Sequence, residues 1–214
     1  MSDATNTSLI VYYDYTCRHS YRALHWLDRV REAEPGIALR WATFSLKEVN
    51  RAPEEPSWVT ADAAPSISVL ALALAHAARD AEFDRYHRTV FDAMQGEGRH
   101  VSEEDLFEIA GGAAVDVGAF RAERGAWVAR VGDEHRDAVT RLHAYGTPTI
   151  VQGGASAYMR LVEVPATGDE AASLLTQLRA IAASKVDLLE VFRPAGEVPT
   201  PVVVELGRPD LEPS

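Results

Sequence analysis

The feature that most constrains this chain is a change of period across residues 10–26. Ile10, Val11, Tyr12 and Tyr13 form a short apolar run of high β propensity. From Ser20 onward Tyr21, Leu24, Leu27 and Val30 recur at three-residue steps and share one face of a helix. A strand therefore hands over to a helix within a few residues, and Cys17, the only cysteine of the chain, sits at the handover. Unpaired amides and the dipole at a helix N-terminus stabilise a thiolate. Arg18 and His19 stand beside it as candidate sources of further positive charge. The competing reading of Cys17 is a small buried hydrophobe, and this stretch alone leaves both open.

A second stretch bears on that choice. Tyr145-Gly146-Thr147-Pro148-Thr149-Ile150-Val151 follows a helical pattern and leads into a β run. A proline opening a strand after Gly-Thr is a candidate cis-proline turn, because cis peptides occur almost only before proline. Together the two stretches resemble the thioredoxin superfamily, specifically its DsbA-like branch. That branch pairs a strand–Cys-x-x-Cys–helix site with a Gly-Thr-Pro-Thr or Gly-Val-Pro-Thr loop and inserts a helical domain between them. Asp14 and the run Leu39-Arg40-Trp41-Ala42-Thr43-Phe44-Ser45-Leu46 are similar to the cytosolic FrnE and 2-hydroxychromene-2-carboxylate isomerase group. The resemblance implies an α/β class, a thioredoxin-like fold with an inserted all-helical subdomain. Residues 8–62 and 146–185 would form the thioredoxin-like domain, 63–145 the insertion and 186–214 a C-terminal extension.

The chain departs from that family at Ser20, which stands where a dithiol enzyme has its second cysteine, so the motif reads Cys-Arg-His-Ser. With one cysteine no intramolecular disulfide can form, and a complete dithiol–disulfide cycle is excluded. What remains is one-thiol chemistry: mixed disulfides with a small thiol, conjugation, or thiol-assisted reduction. The resemblance implies Cys17 as nucleophile, His19 adjacent to the sulfur and Ser20 as hydrogen-bond donor to the thiolate. It also implies that Thr147 and Pro148 hold a thiol substrate in extended form, with Arg18 nearby. Trp58 borders the site, either over the sulfur or as a packing anchor. The expected activity is that of a cytosolic thiol-dependent oxidoreductase acting on a small-molecule thiol or disulfide. Glutathione or mycothiol is the expected co-substrate, and no covalently bound cofactor is expected. Two alternatives stay open: a kappa-type thiol transferase or isomerase acting on xenobiotics, with Cys17 in the place of the usual serine, and a non-catalytic binding protein of the same fold.

Composition sets outer limits. Hydrophobic residues make up 47% of the 214, enough for a sizeable core, and the net charge of −11 argues against nucleic acid as a general partner. The polar N-terminus lacks a signal-peptide pattern, and no apolar run approaches a membrane span. A cytosolic location, no membrane partner and a free thiol are expected. No phosphate loop, metal-spaced Cys/His cluster or Ser-His-Asp signature appears. His76, His87, His100, His135 and His143 are expected at surface or boundary positions.

The remaining pattern predicts a helix over about 18–33, a parallel strand over Ile37–Phe44 and an irregular connector over 47–65. Helices fill most of 66–145, with Ser102 and Asp116 as N-caps and a last helix over about 130–144. A strand at Ile150–Val151, a Gly153-Gly154 turn, a partner over Tyr158–Val164 and a helix over Ala171–Ala183 follow. Val202, Val203 and Val204 are candidates for an added strand or for a contact in a homodimer.

Overall fold

The computed structural model describes residues 8–184, apart from 53, 56, 58–64, 79 and 80. Trp58, and the extension from 186 with Val202 to Val204, lie outside the described residues. Four strands, β1 (Leu9–Tyr13), β2 (Leu39–Thr43), β3 (Thr149–Gln152) and β4 (Ala155–Tyr158), form one mixed sheet in the order β2-β1-β3-β4. β1 runs parallel to β2, with Val11 opposite Trp41, and antiparallel to β3, with Val11 opposite Ile150. β3 and β4 form an antiparallel hairpin.

Alternation along β1 sends its side chains to two layers. Leu9 and Val11 join Trp26, Leu27 and Val30 of α1 (Arg18–Ala33) and Leu175 and Leu178 of α8 (Gly168–Ala182) in one buried cluster. Trp26 Nε1 donates to the Ala171 carbonyl at 3.0 Å and ties these two helices together. Gly168 lets them approach: a Cβ there would stand 3.1 Å from the Arg29 carbonyl oxygen. Tyr12 faces the other way, clustering with Ala42, Phe44, Val151 and Ala138 of α7 (Arg124–Leu142).

Between β2 and β3 the chain adds α2 (Leu46–Val49), α3 (Ile67–Ala77), α4 (Ala81–Phe91), α5 (Glu103–Gly112), α6 (Val117–Ala122) and α7, with a π-helical turn at Asp92–Gly96. The apolar α3 is buried along nearly its whole length, and Val90, Phe91, Leu106, Phe120 and Val131 close a core around it. Tyr13, Tyr15 and Leu24 belong to the same core and join these helices to the strand–helix handover.

Several boundaries differ from the sequence reading. The connector after β2 opens with the short α2, because Ser45 Oγ accepts from the Glu48 amide at 3.2 Å. α7 begins before residue 130, since Trp127 and Val128 extend its apolar face onto the helical core. α8 begins before Ala171 because Thr167 and Glu170 form a capping box. The hairpin partner is Ala155–Tyr158 and not Tyr158–Val164. Gly153 and Gly154, with φ of 59° and 83°, make a two-residue turn, so pairing resumes at once. Ser102 and Asp116 cap α5 and α6 as expected.

Candidate active site

The site begins with the turn between β1 and α1. Asp14 is fully buried; one carboxylate oxygen accepts from the Thr16 amide and hydroxyl, both at 2.8 Å, and the other from the Leu46 amide at 2.8 Å. Burial pushes this carboxyl up, and the three donors act against that rise. Asp14 thus fixes the turn and binds it to the start of α2. The Cys17 amide donates to the Asp14 carbonyl at 3.0 Å, which delivers Cys17 as the N-cap of α1. Its backbone is extended, its carbonyl accepts from the Tyr21 amide at 3.1 Å, and its side chain makes no capping bond. The thiol is free to point elsewhere: Sγ donates to the Thr147 carbonyl at 3.2 Å, and the residue is 7% exposed.

Thr147 lies in the loop that opens β3. Thr149 Oγ1 donates to the Gly146 carbonyl at 2.8 Å, and the Thr147–Pro148 peptide bond is cis. The Met159 amide donates to the Pro148 carbonyl at 3.1 Å, so residues 159–161 run beside the proline. Tyr145, 56% exposed, packs on Tyr158 with ring centroids 4.8 Å apart, and Val162 is 66% exposed; these are the two most exposed large apolar residues described.

The structure brings Cys17, Thr147 and Pro148 together and places His19 and Ser20 differently from expectation. His19 Nδ1 and Arg22 Nη1 both donate to the Leu161 carbonyl, at 3.0 and 2.8 Å. Because a carbonyl only accepts, the proton of neutral His19 is on Nδ1 and its Nε2 is an acceptor. Burial lowers its pKa, the Leu161 bond raises it, and Arg22, Arg160 and Arg18 lower it further. This lowering disfavours the positive charge expected of His19, whose Nδ1–H is committed to the Leu161 carbonyl. Ser20 is fully buried and its hydroxyl has no hydrogen-bond partner, which removes the expected bond to the Cys17 sulfur. Thr147 Oγ1 is likewise buried and unpartnered. Arg18 is exposed beside the thiol.

Sequence reasoning missed Arg22, Arg160 and Leu161. Arg22 was legible, being one turn after Arg18; the Leu161 carbonyl carried no signal in residue type. It also misplaced two histidines. His87 is buried, with Nδ1 3.0 Å from Tyr15 Oη and Nε2 unpartnered, and its ring is enclosed by Tyr13, Trp41, Phe83 and Phe91. His135 is buried against Phe44 and accepts the Ser45 amide at 3.2 Å. Among the described residues no three His, Cys, Asp or Glu side chains gather as metal ligands. No described helix is long and apolar enough to cross a membrane.

Residues 8–166 match the DSBA-like thioredoxin domain family. The chain belongs to this family. Solved structures agree on the fold. A 2-hydroxychromene-2-carboxylate isomerase superposes with a TM-score of 0.58 at 19% identity, covering 81% of this chain and 95% of its own. A probable DsbA oxidoreductase from Streptomyces coelicolor gives 0.58 at 18%, covering 86% and 93%. The cytosolic disulfide reductase DsbM from Pseudomonas aeruginosa, solved with GSH, gives 0.57 at 21%, covering 80% and 99%. At such identities the likeness is one of fold, here thioredoxin-like with a mixed four-stranded sheet. No curated protein matches the chain in sequence.

Proposed function

We propose that this DsbA-like protein is a cytosolic single-thiol oxidoreductase. Cys17 attacks a small disulfide, and an external low-molecular-weight thiol completes the exchange. The observation that carries this reading is the thiol at the N-cap of α1, 3.2 Å from the Thr147 carbonyl and beside Pro148, in a chain with no second cysteine. In the first step the Cys17 thiolate attacks one sulfur of R–S–S–R′; the Cys17–S–S–R bond forms and R′–S⁻ leaves. In the second step a thiolate G–S⁻ attacks the R sulfur, giving G–S–S–R and restoring Cys17. Thiolates are the attacking and leaving species in both steps, so electrons balance without a further oxidant.

The same carbonyl that accepts the resting S–H is available, once the thiolate forms, to a backbone N–H of an extended thiol such as glutathione, the ligand present in the DsbM structure. Mycothiol is the other candidate co-substrate. A single cysteine suits a reducing compartment, where it stays a thiol between turnovers. Steady-state reduction of a small mixed disulfide by glutathione or mycothiol tests the reading. Turnover by the native protein and its loss in Cys17→Ser are expected; equal rates for both proteins would sink it.

A further inference from the structure

Three arginines gather around the Leu161 carbonyl and the first turns of α1, the helix that Cys17 caps, and none of them meets a carboxylate among the described residues. Arg18 follows Cys17, and Arg22 lies one helical turn further along α1 on the same face. Arg22 reaches the Leu161 carbonyl at 2.8 Å, next to Arg160, and the 159–161 segment is bonded to Pro148 through the Met159 amide at 3.1 Å. Arg18 and Arg160 are exposed, and Arg160 leans towards Tyr158, its guanidinium carbon 5.9 Å from the ring centroid. Arg29, Arg40, Arg88, Arg124 and Arg141, by contrast, each meet a carboxylate. Asp14, the acid nearest to Arg18 in sequence, is buried and taken up by Thr16 and Leu46. In a chain of net charge −11 these are three guanidinium groups without a carboxylate partner, two of them exposed.

We infer that Arg18, Arg22 and Arg160 form a carboxylate-recognition subsite, so that Cys17 exchanges with carboxylate-bearing thiols and disulfides in preference to uncharged ones. The inference rests on the single-thiol reading above and adds the substrate class. Guanidinium groups suit the task because they present planar, paired N–H donors to a carboxylate. The sign of the field makes it testable. The net charge of the whole chain repels an anion, and only a local cationic group reverses that near the sulfur.

The experiment is stoichiometric exchange of the full-length protein with two disulfide probes, the dianionic dithiobis-nitrobenzoate and the uncharged dithiodipyridine. Each reaction breaks the probe S–S bond, forms a mixed disulfide on Cys17 and releases one aryl thiolate or thione. The ratio of the anionic to the neutral rate is followed from about 0.01 M to about 1 M salt, over which the screening length falls from about 30 Å to about 3 Å. The expected result is a ratio that falls as salt rises, and that drops about fivefold at low salt in Arg160→Gln and in Arg22→Gln, the scale of a partly exposed charge pair. A ratio that rises with salt or stays flat in the native protein overturns the inference, whatever the variants do to folding; so does an unchanged ratio in a folded Arg160→Gln. Failure of the single-thiol reading looks different: neither probe reacts with the native protein, while both react after unfolding.

Discussion

Ser20 and His19 show what side-chain identity does at this site. The Ser20 hydroxyl is buried without a partner, and an unmet buried donor costs about 1–3 kcal/mol. Ser20→Ala removes that penalty and one oxygen, so urea denaturation is expected to show unchanged or higher stability, by up to about 1 kcal/mol. A loss of more than about 1 kcal/mol would mean that the hydroxyl has a native partner. His19 is held differently: its Nδ1–H is committed to Leu161, leaving Nε2 as the free acceptor.

At the scale of elements, the start of α1 is set by Asp14, whose carboxylate joins the β1–α1 turn to the Leu46 amide after β2. Asp14→Asn puts an amide N–H₂ where one of those donors must be met, and a destabilisation of about 1–3 kcal/mol is expected in urea denaturation. A neutral result would show that the carboxylate does not hold the turn. The first turn of α1 also tests the missing dithiol. Cys17 is the N-cap of α1 and Ser20 lies three residues on, in its first turn, where the dithiol motif that the sequence resembles has its second cysteine. Ser20→Cys should therefore close a disulfide with Cys17 under mild oxidant, read as two titratable thiols falling to none. Two thiols persisting in the folded variant contradict the placement of this motif. The strand–Cys–helix handover, the Pro148 loop and the caps at Ser102 and Asp116 were legible because local chemistry dictates them. The Leu161 carbonyl under His19 and Arg22, and the burial of His87, were not. They depend on which distant segments pack together, and residue type does not encode that.

Across the whole molecule the buried histidines link stability to pH. Burial holds His87 well below the usual imidazole range, with Arg88 acting the same way, and burial lowers His135 and His19 as well. A depressed histidine pKa means the unfolded chain binds the proton first. The contribution of fully buried His87 is therefore full above about 6.5 and falls as pH drops below it, by about 1.4 kcal/mol per pH unit for its one proton, and His135 and His19 act in the same direction. Urea midpoints between pH 7 and 5 should fall less steeply in His87→Phe, by about one proton's slope, whatever its stability at pH 7; an unchanged slope would show that His87 is protonated in the native state. Glu134 acts lower on the scale. Burial pushes its carboxyl up, but bonds from His76 and from the Thr43 amide and hydroxyl outweigh this and hold it at about 2, so its contribution is present above the ordinary carboxylate range and is lost as pH falls from there towards about 2. The central claim concerns the one thiol, and its most direct test is the intact mass of the full-length protein during exposure to glutathione disulfide, followed native and in urea. One glutathionyl adduct on Cys17, formed faster in the native protein than in the unfolded chain and removed by excess glutathione, is the result the folded site predicts. An adduct that forms only after unfolding would contradict it.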